Sequence, residues 1–168
     1  AMRLASPDVV ICASQAVQNA ALTYEPLAVT RVRYCSVEVP KEPSSRPVGE
    51  PGRDRPIRLI TVGRLGDPQK GWDTVVGAAA LLSQRGVPHV WECIGGGNEA
   101  RELHELGERL GATGLRWRGA LPHHETLAAI ASGDVMVQPS VQAPPRTDGL
   151  PVVILEACAR GIPVITTA

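Results

Sequence analysis

From Arg58 onward the chain repeats one unit: a short apolar run rich in β-branched residues, a loop, then a helix-length stretch. Strands are expected at Arg58–Val62, His89–Ile94, Leu115–Arg118, Asp134–Gln138 and Pro163–Thr167. Helices are expected at Trp72–Gln84, Glu99–Leu110, His124–Ala131 and Val152–Ala159. Gly86, Gly111 and Gly161 stand where three of them should stop, as glycine does past a helix end. Strands that alternate with helices pair in parallel, because each helix carries the chain back across the sheet. The expected fold is α/β, a doubly wound, Rossmann-like parallel sheet, with ligands held by loops at the carboxyl ends of its strands.

The front of the chain differs. Asp8–Ala13 and Thr30–Cys35 read as strands around a helix that Ser14 caps and that runs to about Leu22. That β-α-β piece is too small to bury its own faces. Residues 40–56 are dense in proline with charge between, the composition of an exposed, semi-stiff linker. The expected organisation is therefore a unit at 1–39, a linker at 40–56 and the doubly wound domain at 57–168.

Seventeen Lys and Arg balance seventeen Asp and Glu. No global basic field exists to hold a phosphate backbone, so nucleic acid is excluded as the main partner. No apolar run approaches a membrane span. Cys12, Cys35, Cys93 and Cys158 are scattered without a CxxC pair. They read as buried, reduced thiols of a cytoplasmic protein.

Chemistry concentrates at Thr147–Val164, TDGLPVVILEACARGIPV. Pro151 suits the first position of a largely buried helix, and Gly161 with Pro163 stops it. Asp148 stands before that helix, and Glu156 lies on it among Val153, Ile154, Leu155 and Ala157. A carboxylate in that setting is costly without a partner. A helix N-terminus favours anions, and acids beside it suit a phosphate that also carries many hydroxyls. A sugar nucleotide fits that description.

The acid-Gly-x-Pro-x-x-x-Leu-Glu-Ala pattern resembles the two-acid motif of the retaining GT-B glycosyltransferases of group 1 (family four), which include glycogen synthases and bacterial mannosyltransferases. The usual first acid is Glu; here it is Asp148, one methylene shorter. The loop Gly63–Gly71, GRLGDPQKG, resembles the same family's Gly-Arg…Lys-Gly element. Taken alone, Arg64 and Lys70 would read as solvated cations. The resemblance implies that they grip the donor's distal phosphate, and that Asp67-Pro68 is turn chemistry. It also implies that the turn at Gly95, Gly96 and Gly97 lines the donor cleft with backbone, and that Gly119, Ala120 and Leu121 meet the base. Gly149, Leu150 and Val152 would add helix N–H groups, Asp148 would face the sugar, and Glu156 would hold the ribose.

The resemblance thus implies a glycosyltransferase that takes its sugar from a nucleotide-diphosphate sugar, with Asp148, Arg64 and Lys70 in the reaction and no cofactor or metal. His, Cys and acid spacing also gives no metal set. His123 and His124 are expected as exposed capping-turn residues, and His89 and His104 as structural ones. The acceptor, whether glycan, lipid or small molecule, is not legible. The front unit resembles the end of an acceptor-binding domain whose remainder is missing. The expectation is an excised donor-binding half, poor at transfer alone, with peripheral membrane association left to the missing part. A non-catalytic sugar-nucleotide-binding module, or one subunit of a split enzyme, is the competing reading. A nicotinamide enzyme is disfavoured, since no glycine follows Gly97 by three positions and no acid ends the next strand.

Overall fold

The computed structural model describes residues 9–41, 50–51, 53–141 and 151–167. At the front, β1 (Val10–Cys12) pairs in parallel with β2 (Thr30–Val32) as a two-stranded sheet of its own. Helix α1 (Gln15–Tyr24) connects them, and the Ser14 side chain accepts from the Val17 N–H at 3.2 Å. Both strands are shorter than expected. The Arg33 N–H takes the Cys12 carbonyl, and beyond it β1 offers no strand residue to pair.

The second sheet holds β3 (Ile57–Val62), β4 (His89–Ile94), β5 (Leu115–Gly119), β6 (Val135–Gln138) and β7 (Val164–Thr166). All neighbours are parallel, in the order β5-β4-β3-β6-β7. The order reverses at β3, which is the switch point of a doubly wound sheet. Helices α2 (Trp72–Gln84), α3 (Ala100–Leu110), α4 (His123–Ala131) and α5 (Val152–Ala159) make the crossovers.

Successive strand residues face opposite sides, and both sides are covered. Leu59, Trp91, Cys93 and Leu115 pack with Trp72, Val75, Val76, Ala79 and Leu103 from α2 and α3. Ile60, Ile94 and Met136 pack with Ile130, Ala157 and Ile162 on the α4 and α5 side. That is why these strands read as unbroken apolar runs rather than alternating ones. Two polar side chains inside are tied across the sheet: Trp91 Nε1 donates to Thr61 Oγ1 at 2.9 Å, and Thr61 Oγ1 donates to the Val137 carbonyl at 2.7 Å.

At the amino end of the sheet, Arg55 forks onto the Asp134 carboxylate at 2.6 and 2.7 Å, and the Arg58 N–H adds a third bond at 2.8 Å. The guanidinium beside it holds the Asp134 carboxyl below the usual carboxylate range, against the opposing effect of its burial.

Three local expectations need correction. Helix α5 is half-buried, with Ala157 its one fully buried residue and Val152 exposed; only one flank meets the β6–β7 side of the sheet. Pro151 is the residue before the helix, extended at ψ 122°, so its ring shapes the entry rather than the first turn. Only Cys12 and Cys93 are buried, whereas Cys35 and Cys158 are exposed. Cys35 lies past the end of β2, and Cys158 sits on the outer flank of α5. All four are free thiols, and burial pushes that of Cys93 up, with Glu92 adding to the shift.

Candidate functional site

The parallel sheet sends the loops after β3, β4, β5 and β6 to one rim, and hydrogen bonds lace those loops together. The Gly63 N–H takes the Ile94 carbonyl at 2.9 Å, Leu65 N–H takes Gly96 O at 3.0 Å, and Gly95 N–H takes Gly119 O at 2.8 Å. On the other side, Val141 N–H takes Gln69 O at 2.9 Å. Four loops far apart in sequence thus form one continuous edge around the switch point.

The first of these loops carries the two cations. Asp67 caps a single 3-10 turn, Pro68–Lys70, its carboxylate accepting from Gln69 N–H at 3.2 Å. The turn swings the Lys70 stem across Gly63, where a β-carbon would stand only 3.2 Å from Lys70 Cγ. Arg64 is exposed, but its backbone is pinned by Trp72, whose indole N–H donates to the Arg64 carbonyl at 3.0 Å. The sequence pointed to Arg64 and Lys70. It did not point to Trp72, whose apolar body hides a polar tether.

The glycine turn after β4 is built for close approach. A β-carbon on Gly95, at φ 151°, would lie 1.7 Å from Gly63 O, and one on Gly97 would lie 1.5 Å from Leu65 O. Only glycine allows such contacts. Gly96 instead faces Ala120, at 3.4 Å from a built β-carbon to Ala120 Cβ, so the β4 and β5 loops touch at two expected donor positions. Gly119 and Ala120 are exposed, and Leu121 packs against the α4–α5 core.

Glu156 has the partner its setting requires. His123 Nε2 lies 2.7 Å from Glu156 Oε1, with the glutamate side chain 12% exposed and the histidine 73% exposed. His123 is exposed as expected, yet it caps nothing: α4 has no side-chain cap bond. Its ring reaches across to α5, a role that a histidine after a proline does not signal. His124 stays in solvent beside Glu125. His89 Nδ1 bonds the Val87 carbonyl at 2.8 Å and His104 stacks on Trp117 at 4.7 Å, both structural roles.

Asp148, Gly149 and Leu150 lie outside the described residues, as does Arg146. Val152 opens α5 directly after Pro151. Side-chain polar atoms of Gln69 and Ser140, on the loops after β3 and β6, and of Gln138, the last residue of β6, are buried without a hydrogen-bond partner. Burying an amide unpaired costs free energy. Among the described residues, no group of three or more His, Cys, Asp or Glu is placed to hold a metal, and no helix is long and apolar enough to cross a membrane.

Comparison with known proteins fits this geometry. The chain is 35% identical over 126 residues to WcaL of Escherichia coli (strain K12), named as a glycosyltransferase of colanic acid biosynthesis. The match covers 74% of this chain, which spans 30% of the length of WcaL. Among solved structures, a TarM mutant of S. aureus, in complex with fondaparinux, alpha-GlcNAc-glycerol and UDP, superposes with a TM-score of 0.72. It is 15% identical and covers 95% of this chain and 29% of that one. HepE of Anabaena, in complex with UDP and glucose, gives a TM-score of 0.68 at 23% identity, over 95% of this chain and 44% of that one. These neighbours share the fold, the Rossmann-like domain of GT-B glycosyltransferases. The family model described as Glycosyl transferases group 1 matches residues 56–168, and the chain belongs to that family.

Proposed function

We propose that this chain is the donor-binding part of a retaining glycosyltransferase of polysaccharide biosynthesis, acting in the cytoplasm on a nucleotide-diphosphate sugar. The observation that carries the reading is the laced rim: the loop bearing Arg64 and Lys70 is bonded on one side to the glycine turn at Gly96 and on the other to the strand-end loop that leads to α5. UDP in TarM and HepE supports a nucleoside diphosphate as the occupant.

In this reading Arg64 and Lys70 neutralise the diphosphate as its bond to the sugar breaks, which lowers the barrier by meeting charge where it develops. Arg does so as a fork and Lys as a point charge. That work is assigned to side chains, and the reading calls on no metal. The N–H groups of Gly149, Leu150 and Val152 add the helix-dipole share, while Pro151 has no N–H to give. Asp148 faces the transferred sugar, and Glu156 accepts from the ribose hydroxyls. Main chain at Gly96, Gly97, Gly119, Ala120 and Leu121 lines the rest. The β1-α1-β2 unit, in a sheet of its own and ahead of the family match, belongs to a second domain reached through residues 40–56. The acceptor binds through parts outside this site.

Calorimetric titration with UDP, GDP and ADP tests the site. One of the three should bind, and Lys70→Ala and Glu156→Ala should each weaken it by about ten-fold or more, as loss of a charged hydrogen bond requires. Unchanged affinity in both variants would remove the assignment.

A further inference from the structure

We propose that His123 is a positioning residue for Glu156, holding its carboxylate in the orientation that meets the donor's ribose. The inference rests on the donor-site reading above and extends it to a residue that reading does not use.

Its basis is geometric. His123 is the first residue of α4, directly after Pro122 and two positions past Leu121. Glu156 sits midway along α5. The 2.7 Å contact therefore links the segment after β5 to the helix after β6, from the exposed side. An ionised carboxylate only accepts hydrogen bonds, so the proton lies on His123 Nε2. The imidazole occupies Oε1. A carboxylate has two oxygens and about four acceptor positions, which leaves Oε2 for a diol. A glutamate has three rotatable bonds and would otherwise lose rotamer freedom on binding. The histidine fixes that conformation beforehand, and it reaches from solvent, so burial of its own ring is not what keeps it there.

The competing role is a plain tether between α4 and α5. A tether would affect every ligand alike, whereas a positioning residue affects only contacts made by Glu156. The test uses UDP, GDP and ADP together with their 2′,3′-dideoxy forms, titrated into the wild-type chain and into Glu156→Gln, His123→Ala and His123→Gln. The wild type should prefer the ribose form by about ten-fold or more, and Glu156→Gln should largely erase that preference. His123→Ala should cut the preference to about a third or less, with little loss of affinity for the dideoxy form. His123→Gln, whose amide N–H can reach the same oxygen, should restore it.

Equal losses on both forms in His123→Ala, with the ribose preference intact, would overturn the proposal and leave the tether. An intact preference in Glu156→Gln would instead overturn the ribose assignment of Glu156, and binding of none of the three nucleotides would overturn the donor site. Either result removes the inference with its premise. Thermal unfolding of His123→Ala, expected within a few degrees of wild type, separates loss of fold from loss of orientation.

Discussion

Trp72 shows how one side chain serves core and site together. Its ring is 4% exposed and packs against Trp117 at 5.9 Å between centroids, while its N–H holds the Arg64 carbonyl. Trp72→Phe keeps most of the apolar body and removes the donor. A net hydrogen bond contributes about 0.5–1.5 kcal/mol, and a buried acceptor left unpaired costs about 1–3 kcal/mol. The expected outcome is a lower thermal midpoint by several degrees and diphosphate binding weakened about three-fold, because the backbone under Arg64 loses its anchor. Calorimetry alongside melting checks both. Binding unchanged in a destabilised variant would confine Trp72 to packing.

At the scale of elements, the rim depends on loops that approach closer than any side chain permits. Gly97→Ala must drive the β3 and β4 loops apart, since its β-carbon would sit 1.5 Å from a backbone oxygen that cannot rotate away. The expected result is destabilisation by about 2 kcal/mol or more together with loss of nucleotide binding. Gly77, inside α2, meets nothing within 4 Å of a built β-carbon. Gly77→Ala should therefore stabilise the fold by about 0.5–1 kcal/mol and leave binding alone. Chemical unfolding of the two variants checks the pair, and a neutral Gly97→Ala would mean the loops are not held together as described.

For the whole molecule, the Arg55–Asp134 pair fastens the start of β3 to the start of β6, at the end of the sheet remote from the site. The Asp134 carboxyl is depressed chiefly by the hydrogen bond from Arg55. A group with a lowered folded-state value stabilises fully above its unfolded value of about 3.9, and that contribution is lost as pH falls through the folded value. Thermal midpoints should therefore be level near neutrality and fall below about pH 4. Asp134→Asn should lower the midpoint at pH 7 and flatten the acid limb. Nucleotide binding at pH 7 should persist, because the pair lies far from the rim. An acid limb as steep in Asp134→Asn as in wild type would assign acid unfolding to other carboxylates.

Legibility followed the range of the forces involved. The bounds of α2, β4 and α5 were readable to the residue, because local signals decide them: apolar runs for strands, and Gly86 and Gly161, both at positive φ, past helix ends. Arg64 and Lys70 were singled out only through the family resemblance of the Gly63–Gly71 loop, since an isolated cation on a surface loop carries no signal of its own. The roles of His123 and Trp72 were not readable, since each acts through a bond to a residue many positions away whose direction no local pattern encodes. Burial of Cys35, Cys158 and α5 was overestimated for a related reason: an apolar composition says that a residue can be buried, not that a neighbouring element covers it.

The order of residues alone determined that strands and helices alternate, that the sheet is parallel, and that Arg64 and Lys70 fall in the loop after its first strand. Local propensity, and the need of each apolar face for cover, are enough for that. Only the tertiary structure decided which loops touch, that β3 is the strand where the winding reverses, and that an exposed imidazole reaches the acid on α5. Those facts depend on contacts between distant segments, which form only once both faces of the sheet are packed.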